Sequence, residues 1–359
     1  MCEVIVSGLH WSEYAEGADI VDEMIAIISG SDEVSKAAPN ILTDKGFDKW
    51  VTRYANRVFK KARPADKAAI RKMLAQWRGA KWSTLTPEQT ERLIRRGARK
   101  IALTGAQRVE VATTVAASMK EAIRQTMKNS KSVHGIQAVF NAADERVVKQ
   151  VKKSQSHFIR DAYGRRQVAM SAEARKIVSA GVRAGFDSAT IGKILGQKML
   201  ASGLLRAESY WATVSSIYAA RSRQYGLFRS YDEAGIEQVI FEAILDERTT
   251  EQCYFMDGKI LNVGQTVQRY QDIADDPDPE AVVDRAPFLQ LGKNKQGKEV
   301  IYYKRGNKRV IVADVRRAAR GTKDGSGSYK QRVSDSKLAS AGIGPPPIHG
   351  HCRSTTVPL

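Results

Sequence analysis

The 359-residue sequence predicts an α+β protein: a long, mostly helical N-terminal region followed by a small α+β C-terminal domain with short strands. Three observations carry that expectation. Apolar residues recur at helical spacing through most of residues 45–230. Near residue 231 the period shortens and β-branched runs begin. Positive charge is confined to the helical part, where residues 45–230 carry a net charge of about +26, against about −8 for residues 1–44 and about +1 for residues 231–359. The expected organisation is therefore an acidic N-terminal arm (1–44), a basic helical domain (45–230) and an α+β domain (231–359) with an inserted hairpin segment near 263–344.

In the arm, "IVDEMIAIISG" (20–30) reads as one helix closed by Gly30. In "RPADKAAIRKMLAQWRG", Pro64 suits a helix start, with Ile70, Met73, Leu74 and Trp77 at helical spacing. The clearest helix is "TPEQTERLIRRGARKIA". Thr86 suits the N-cap, Pro87 the first helical position, and Gln89 completes a capping box. On it Arg92, Arg95, Arg96, Arg99 and Lys100 form one basic face, opposite Ile94, Ala98 and Ile101. Like charges three and four residues apart repel. The face is either a solvated arginine surface or a site for phosphate or an acidic partner.

Residues 106–128 place Val111, Val115, Met119, Ala122 and Ile123 on one side of a helix. Residues 133–183 read as two or three helices, the last opened by Ser171. In 206–228, Tyr210, Trp211, Val214, Ile217 and Tyr218 make an apolar stripe that reads as core packing rather than a cofactor box.

After residue 231, "IEQVIFEAIL" (236–245) reads as a strand, and "EVIYYKRGNKRVIVADV" (299–315) as two strands about a Gly306–Asn307 turn. "DIADDPDPEAVVD" (272–284) reads as an acidic loop, and the Gly/Ser-rich stretch 320–337 as a flexible one.

No run reaches the roughly 18 apolar residues of a membrane span. The N-terminus has no basic, apolar leader, so the expectation is a protein without membrane contact, made in a cytoplasm. Three cysteines are too few for a secreted disulfide framework. No phosphate-cradling loop, dinucleotide fingerprint, HExxH or GxSxG is present.

The unusual chemistry lies in two short stretches about a hundred residues apart. "LDERTTEQCYFMDGKIL" offers Asp246, Arg248 and Cys253 directly after the expected strand, then a turn at Asp257–Gly258; "PPPIHGHCRSTTVP" offers His349, His351, Cys352 and Arg353. Three arrangements suit them. Cys253, His349 and Cys352 could bind Zn²⁺, with Asp246, Asp257 or His351 as fourth ligand. A metal-free clasp could pair Asp246 with Arg353 or Arg248 and pack the cysteines as small apolar groups. A thiol could act as nucleophile with His349 as base. In all three the two stretches touch.

Asp246, Arg248, Thr249, Cys253, Asp257 and Gly258, followed by Pro346, Pro347, His349, Cys352 and Arg353, resemble the pattern of the phage head morphogenesis family, the Mu F-like minor head proteins. The likeness covers about residues 200–262 and 345–358. Where many members carry a cysteine, this chain has Thr250. The resemblance implies a non-enzymatic virion protein inside the capsid, assembled in the bacterial host cytoplasm, with the portal protein, other head proteins and genomic double-stranded DNA as partners. DNA contact, through the basic helices, would be non-specific, since no groove-reading module is evident. The competing expectation is a metal-dependent nuclease using His349, His351 and Asp246.

Overall fold

The computed structural model describes residues 39–319 and 327–359 (the side chain of residue 281 excepted), with the backbone of residues 5–6 and 9–10. Its elements are β1 (Ile5–Val6), β2 (Leu9–His10), α1 (Asp44–Trp77), α2 (Pro87–Ala98), α3 (Gly105–His134), α4 (Ala142–Arg183), α5 (Ser188–Glu233), β3 (Gln238–Glu242), α6 (Glu251–Met256), β4 (Ile260–Asn262), α7 (Val263–Asp275), α8 (Ala281–Arg285), β5 (Leu289–Lys293), β6 (Glu299–Arg305), β7 (Lys308–Arg317), β8 (Ser328–Gln331), α9 (Asp335–Ser340) and β9 (Thr355–Pro358). This is the expected α+β class, helices first and small antiparallel sheets after them. The expected helix at 20–30 lies outside the described residues. Among the described residues, no helix is long and apolar enough to cross a membrane.

The chain divides into two compact units, and the division does not follow the expected boundaries. The first unit gathers residues 1–56, 115–155 and 213–359; the second gathers 57–114 and 156–212. The helical region is thus shared between both units, because α1, α3, α4 and α5 each contribute residues to both.

Two local breakers are overridden. Pro64 lies inside α1 rather than at a helix start. An interior proline removes one backbone hydrogen bond, yet Ala62 and Asp66 on either side of it are buried, and that packing keeps the helix continuous. Ser171 likewise falls inside α4, one 42-residue helix where shorter ones were expected. The α2 start is as read: Thr86 accepts from the Gln89 amide, and the Gln89 side chain accepts from the Thr86 amide.

The second unit is helical and encloses a buried charged network. Asp66, 1% exposed, accepts from Tyr163 Oη (2.6 Å), Arg166 Nη1 (2.7 Å) and Trp211 Nε1 (2.9 Å). Burial, then the Asp66 charge, pushes the Tyr163 phenol well above its ordinary range.

The core of the first unit is the C-terminal half of α5. Of the expected aromatic stripe, Val214, Ile217 and Tyr218 are buried there, while Tyr210 and Trp211 are buried in the second unit; nearly every other residue from 213 to 231 is buried as well. A helix enclosed on all sides needs small residues where neighbours come close, and Ser215, Ala219, Ala220, Ser222 and Gly226 supply them. A Cβ on Gly226 would lie 2.8 Å from Thr126 Cβ and 3.1 Å from the Ile123 carbonyl oxygen on α3. Gly226→Ala is therefore expected to destabilise the protein by about 1–3 kcal/mol through overpacking, measured by urea unfolding.

Two sheets pack with this helix in the first unit. One has strand order β4-β3-β9, the other β5-β6-β7-β8, all antiparallel. The first holds the expected strand 236–245 in shortened form, and the second holds the expected hairpin about Gly306–Asn307. Two expected loops carry structure. α7 runs to Asp275 and α8 begins at Ala281, leaving a short acidic connection. Within 320–337, residues 320–326 lie outside the described set, but β8 follows, and Ser334 caps α9 by accepting from the Lys337 amide.

Candidate metal centre

The two chemically rich stretches meet. β9, the last strand, pairs antiparallel with β3, Thr355 opposite Glu242 and Val357 opposite Ile240. This places residues 349–354 beside the start of α6. Thr250 caps that helix by accepting from the Cys253 amide, so Cys253 sits in its first turn with its side chain turned inward. Cys253 and Cys352 are 4% and 1% exposed.

Cys253 Sγ lies 3.1 Å from His349 Nε2 and 3.9 Å from Cys352 Sγ. The donor atoms of these three residues are all within 4.8 Å of one another, so the group could hold a metal ion. The donor set suits one. Two thiolates on a tetrahedral ion with bonds of about 2.3 Å stand about 3.8 Å apart, and a thiolate and an imidazole about 3.5 Å. The sulfurs are already at that spacing, and the imidazole need only retreat a few tenths of an ångström. The thiols already differ: hydrogen bonding to the Cys352 sulfur, then burial, pushes the Cys253 thiol up. On Cys352 the upward pull of burial is outweighed by the hydrogen bond from Cys253 and by His349, so its thiol is held low. The Ser354 hydroxyl donates to Cys253 Sγ at 3.3 Å.

Asp246, expected among the metal ligands, is not in this group. Its carboxylate is occupied by the Arg353 guanidinium, by the Arg248 amide at 3.0 Å and, more loosely, by the Arg248 side chain at 3.9 Å. Arg248 also reaches Asp48 at 3.8 Å. A carboxylate gripped by an arginine has little reason to leave for a metal, and Asp246 is the acidic half of the clasp instead. Asp257 is likewise committed, accepting from the Ala243 amide at 2.8 Å, and Gly258 makes the turn with φ +76°.

Burial raises the Asp246 pKa, but the hydrogen bond and charge of Arg353 more than offset it, so the carboxyl is held below its usual range. A carboxylate lowered on folding contributes stability above its unfolded pKa, near 3.9, and loses it as pH falls through the folded value. The clasp is therefore expected to weaken below about pH 4, seen as lower hydrogen-exchange protection factors of residues 349–358 in acid than at neutral pH. Asp246→Asn should show that lowered protection already at neutral pH.

His351 points elsewhere. Its Nε2 is 3.4 Å from Thr213 Oγ1 on α5, and its buried Nδ1 has no partner among the described residues. Burial, helped by His349, pulls its pKa down to about 4, so the ring is neutral at neutral pH.

Sequence reasoning missed the residue that anchors the tail. Arg223 on α5 is 1% exposed and donates from Nη2 to the carbonyl oxygens of Arg353 and Ser354, both at 2.6 Å. Its guanidinium lies 3.8 Å from the Phe47 ring centroid, and burial lowers its pKa to about 10. Gln224 Oε1 accepts from Thr356 Oγ1 (3.0 Å), and Tyr231 Oη donates to the Thr356 carbonyl (2.9 Å). Positions 213, 224 and 231 are about three and two turns apart, so one face of α5 reads the last strand and its approach. The available signal was an arginine set among alanines, serines and aromatics in "SSIYAARSRQYGLF".

Of the expected basic face, Arg92, Arg95 and Arg96 lie on α2, while Arg99 is its C-cap and Lys100 falls in the turn after it; all five are exposed, and Ile94, Ala98 and Ile101 are buried. Glu91 pairs with Arg95 and with Arg175 (2.8 Å). Among the described residues, Arg92, Arg96, Arg99 and Lys100 make no ion pair.

No protein-family model, curated protein or solved structure matches the chain.

Proposed function

We propose that this is a structural minor head protein of a phage, held inside the capsid near the portal. It would act in head assembly, DNA packaging or genome delivery, and touch DNA through the cationic face of α2. The observation that supports this reading is the convergence of the two half-patterns on which the family resemblance rests. They lie about a hundred residues apart, yet Cys253, His349 and Cys352 form one group, and Arg353 closes on Asp246. Zinc is the metal this Cys₂His set suits best. Bound there, it would supply a structural crosslink between α6 and the chain's last loop. Cys253, His349 and Cys352 would hold it.

The geometry disfavours the other readings. Both thiols are buried, which denies a thiol nucleophile its substrate. A nuclease would need Asp246 on the metal, and Arg353 occupies it.

Two measurements test the proposal. Proteomics of purified phage particles should find the chain in the virion, in few copies; its absence would reject the head role. Duplex affinity should fall by orders of magnitude between about 50 and 200 mM salt if six or more phosphates are neutralised, with no sequence preference. Affinity unchanged over that range would reject the DNA role of the cationic face.

A further inference from the structure

The near-neutral charge of the C-terminal region hides a local concentration. Residues 293–317 contain nine lysines and arginines against two acids, Glu299 and Asp314. Four of the nine crowd the tip of the β6–β7 hairpin, "KRGNKR". There Lys304 stands directly opposite Arg309, and Arg305 opposite Lys308. Like charges in direct cross-strand register oppose pairing. The two acids of these strands are remote from them. Glu299 and Asp314 lie toward the far ends of β6 and β7, roughly 20 Å away at strand rise, beyond the ~8 Å screening length. Among the described residues, Lys304, Arg305 and Lys308 make no ion pair. By contrast Arg332, on the segment following β8, is paired with Asp314 at 2.8 Å.

The alternation of a strand divides the four by face. Lys304 and Arg309 share one face with Tyr302, over whose ring the Arg309 guanidinium lies at 4.8 Å; Arg305 and Lys308 point to the other. A flat anionic surface would meet cations on one face only. A narrow ribbon charged on both faces suits a groove with phosphates along both walls, and the major groove of duplex DNA admits a two-stranded ribbon. The turn itself is slim, with Gly306 (φ +56°) and Asn307, and residues 305–309 are exposed.

We infer that the β6–β7 hairpin tip is a second duplex-DNA contact, with Lys304, Arg305, Lys308 and Arg309 gripping the phosphates on either side of a groove. The inference rests on the duplex-binding part of the reading above and is independent of the phage-head part. The contact positions the protein without reading bases, because the tip offers charge rather than a bidentate pattern.

The test uses the full chain and a fluorescent random-sequence duplex, titrated from 50 to 200 mM salt. Three proteins are compared: wild type, a hairpin variant with all four tip cations changed to Gln, and a helix variant carrying Arg92→Ala, Arg96→Ala and Arg99→Ala. Circular dichroism and the unfolding midpoint verify folding, and Lys304→Arg with Lys308→Arg controls for disturbance of the strands. The hairpin variant should lower the slope of log K against log salt by about 3 to 4, at about 0.9 per phosphate, while the Lys→Arg control keeps the wild-type slope. A wild-type slope in the hairpin variant, with loss in the helix variant, overturns the hairpin contact and leaves the α2 reading standing. Loss in the hairpin variant alone supports the contact and removes α2 from the site. A wild type that binds no duplex overturns both. Hairpin-dependent binding of polyglutamate in preference to duplex assigns the tip to an acidic protein and overturns the inference.

Discussion

Zinc returned to chelator-treated protein is expected to raise its unfolding midpoint by about 10 °C. The estimate follows from mass action: free zinc a thousand-fold above its dissociation constant adds about 4 kcal/mol to the folded state, and each kcal/mol moves a unit of this size by about 2–4 °C. The gain should appear with one zinc per chain and vanish in Cys352→Ser. That variant removes a donor from the group without touching the Arg353–Asp246 pair. Binding should also release protons, because the Cys253 thiol is held protonated and must ionise to become a ligand. Calorimetry in two buffers of different ionisation enthalpy measures that release. A midpoint indifferent to zinc, with no metal retained after gel filtration, would dismiss the metal and leave the Asp246–Arg353 clasp, the Arg223 hydrogen bonds and the β3–β9 pairing to hold the tail.

Asp66→Ala is expected to cost about 3–5 kcal/mol, measured by urea unfolding followed through tryptophan fluorescence. The loss comes less from the missing contacts than from what they leave behind. Arg166 would remain buried with its charge uncompensated, and Tyr163 Oη and Trp211 Nε1 would be deprived of the acceptor they share. Asp66→Asn keeps an acceptor but not the charge, and should fall between the alanine variant and wild type. Trp211 belongs to the affected unit, so its emission should report the transition directly.

The parts of this protein that were legible in its sequence are those set by neighbours in the chain. The Thr86–Gln89 capping box, the buried side of α3, strand β3 and the Gly306–Asn307 turn each depend on a few consecutive residues. The meeting of residues 246–258 with 349–353 was legible for another reason: cysteine, histidine, aspartate and arginine in two short loops have few stable fates apart from one another. The same local logic failed at Pro64 and Ser171, where breakers sit inside continuous helices because packing on either side outweighs the lost backbone preference. Summing charge over the whole C-terminal region concealed the hairpin tip, since its cations are balanced in number by acids far along the chain.

Composition and spacing alone therefore determined the class, the start of α2, its exposed cations and the two reactive stretches. Tertiary structure decided the rest. It divided the chain into units that no contiguous boundary separates, enclosed the second half of α5 on all sides, and buried Arg223 against the tail's carbonyls. It also turned Asp246 from metal ligand into the partner of Arg353. The physical reason is the same in each case: burial and the pairing of buried charge depend on which distant segments come together, and that is a property of the folded chain rather than of any stretch of it.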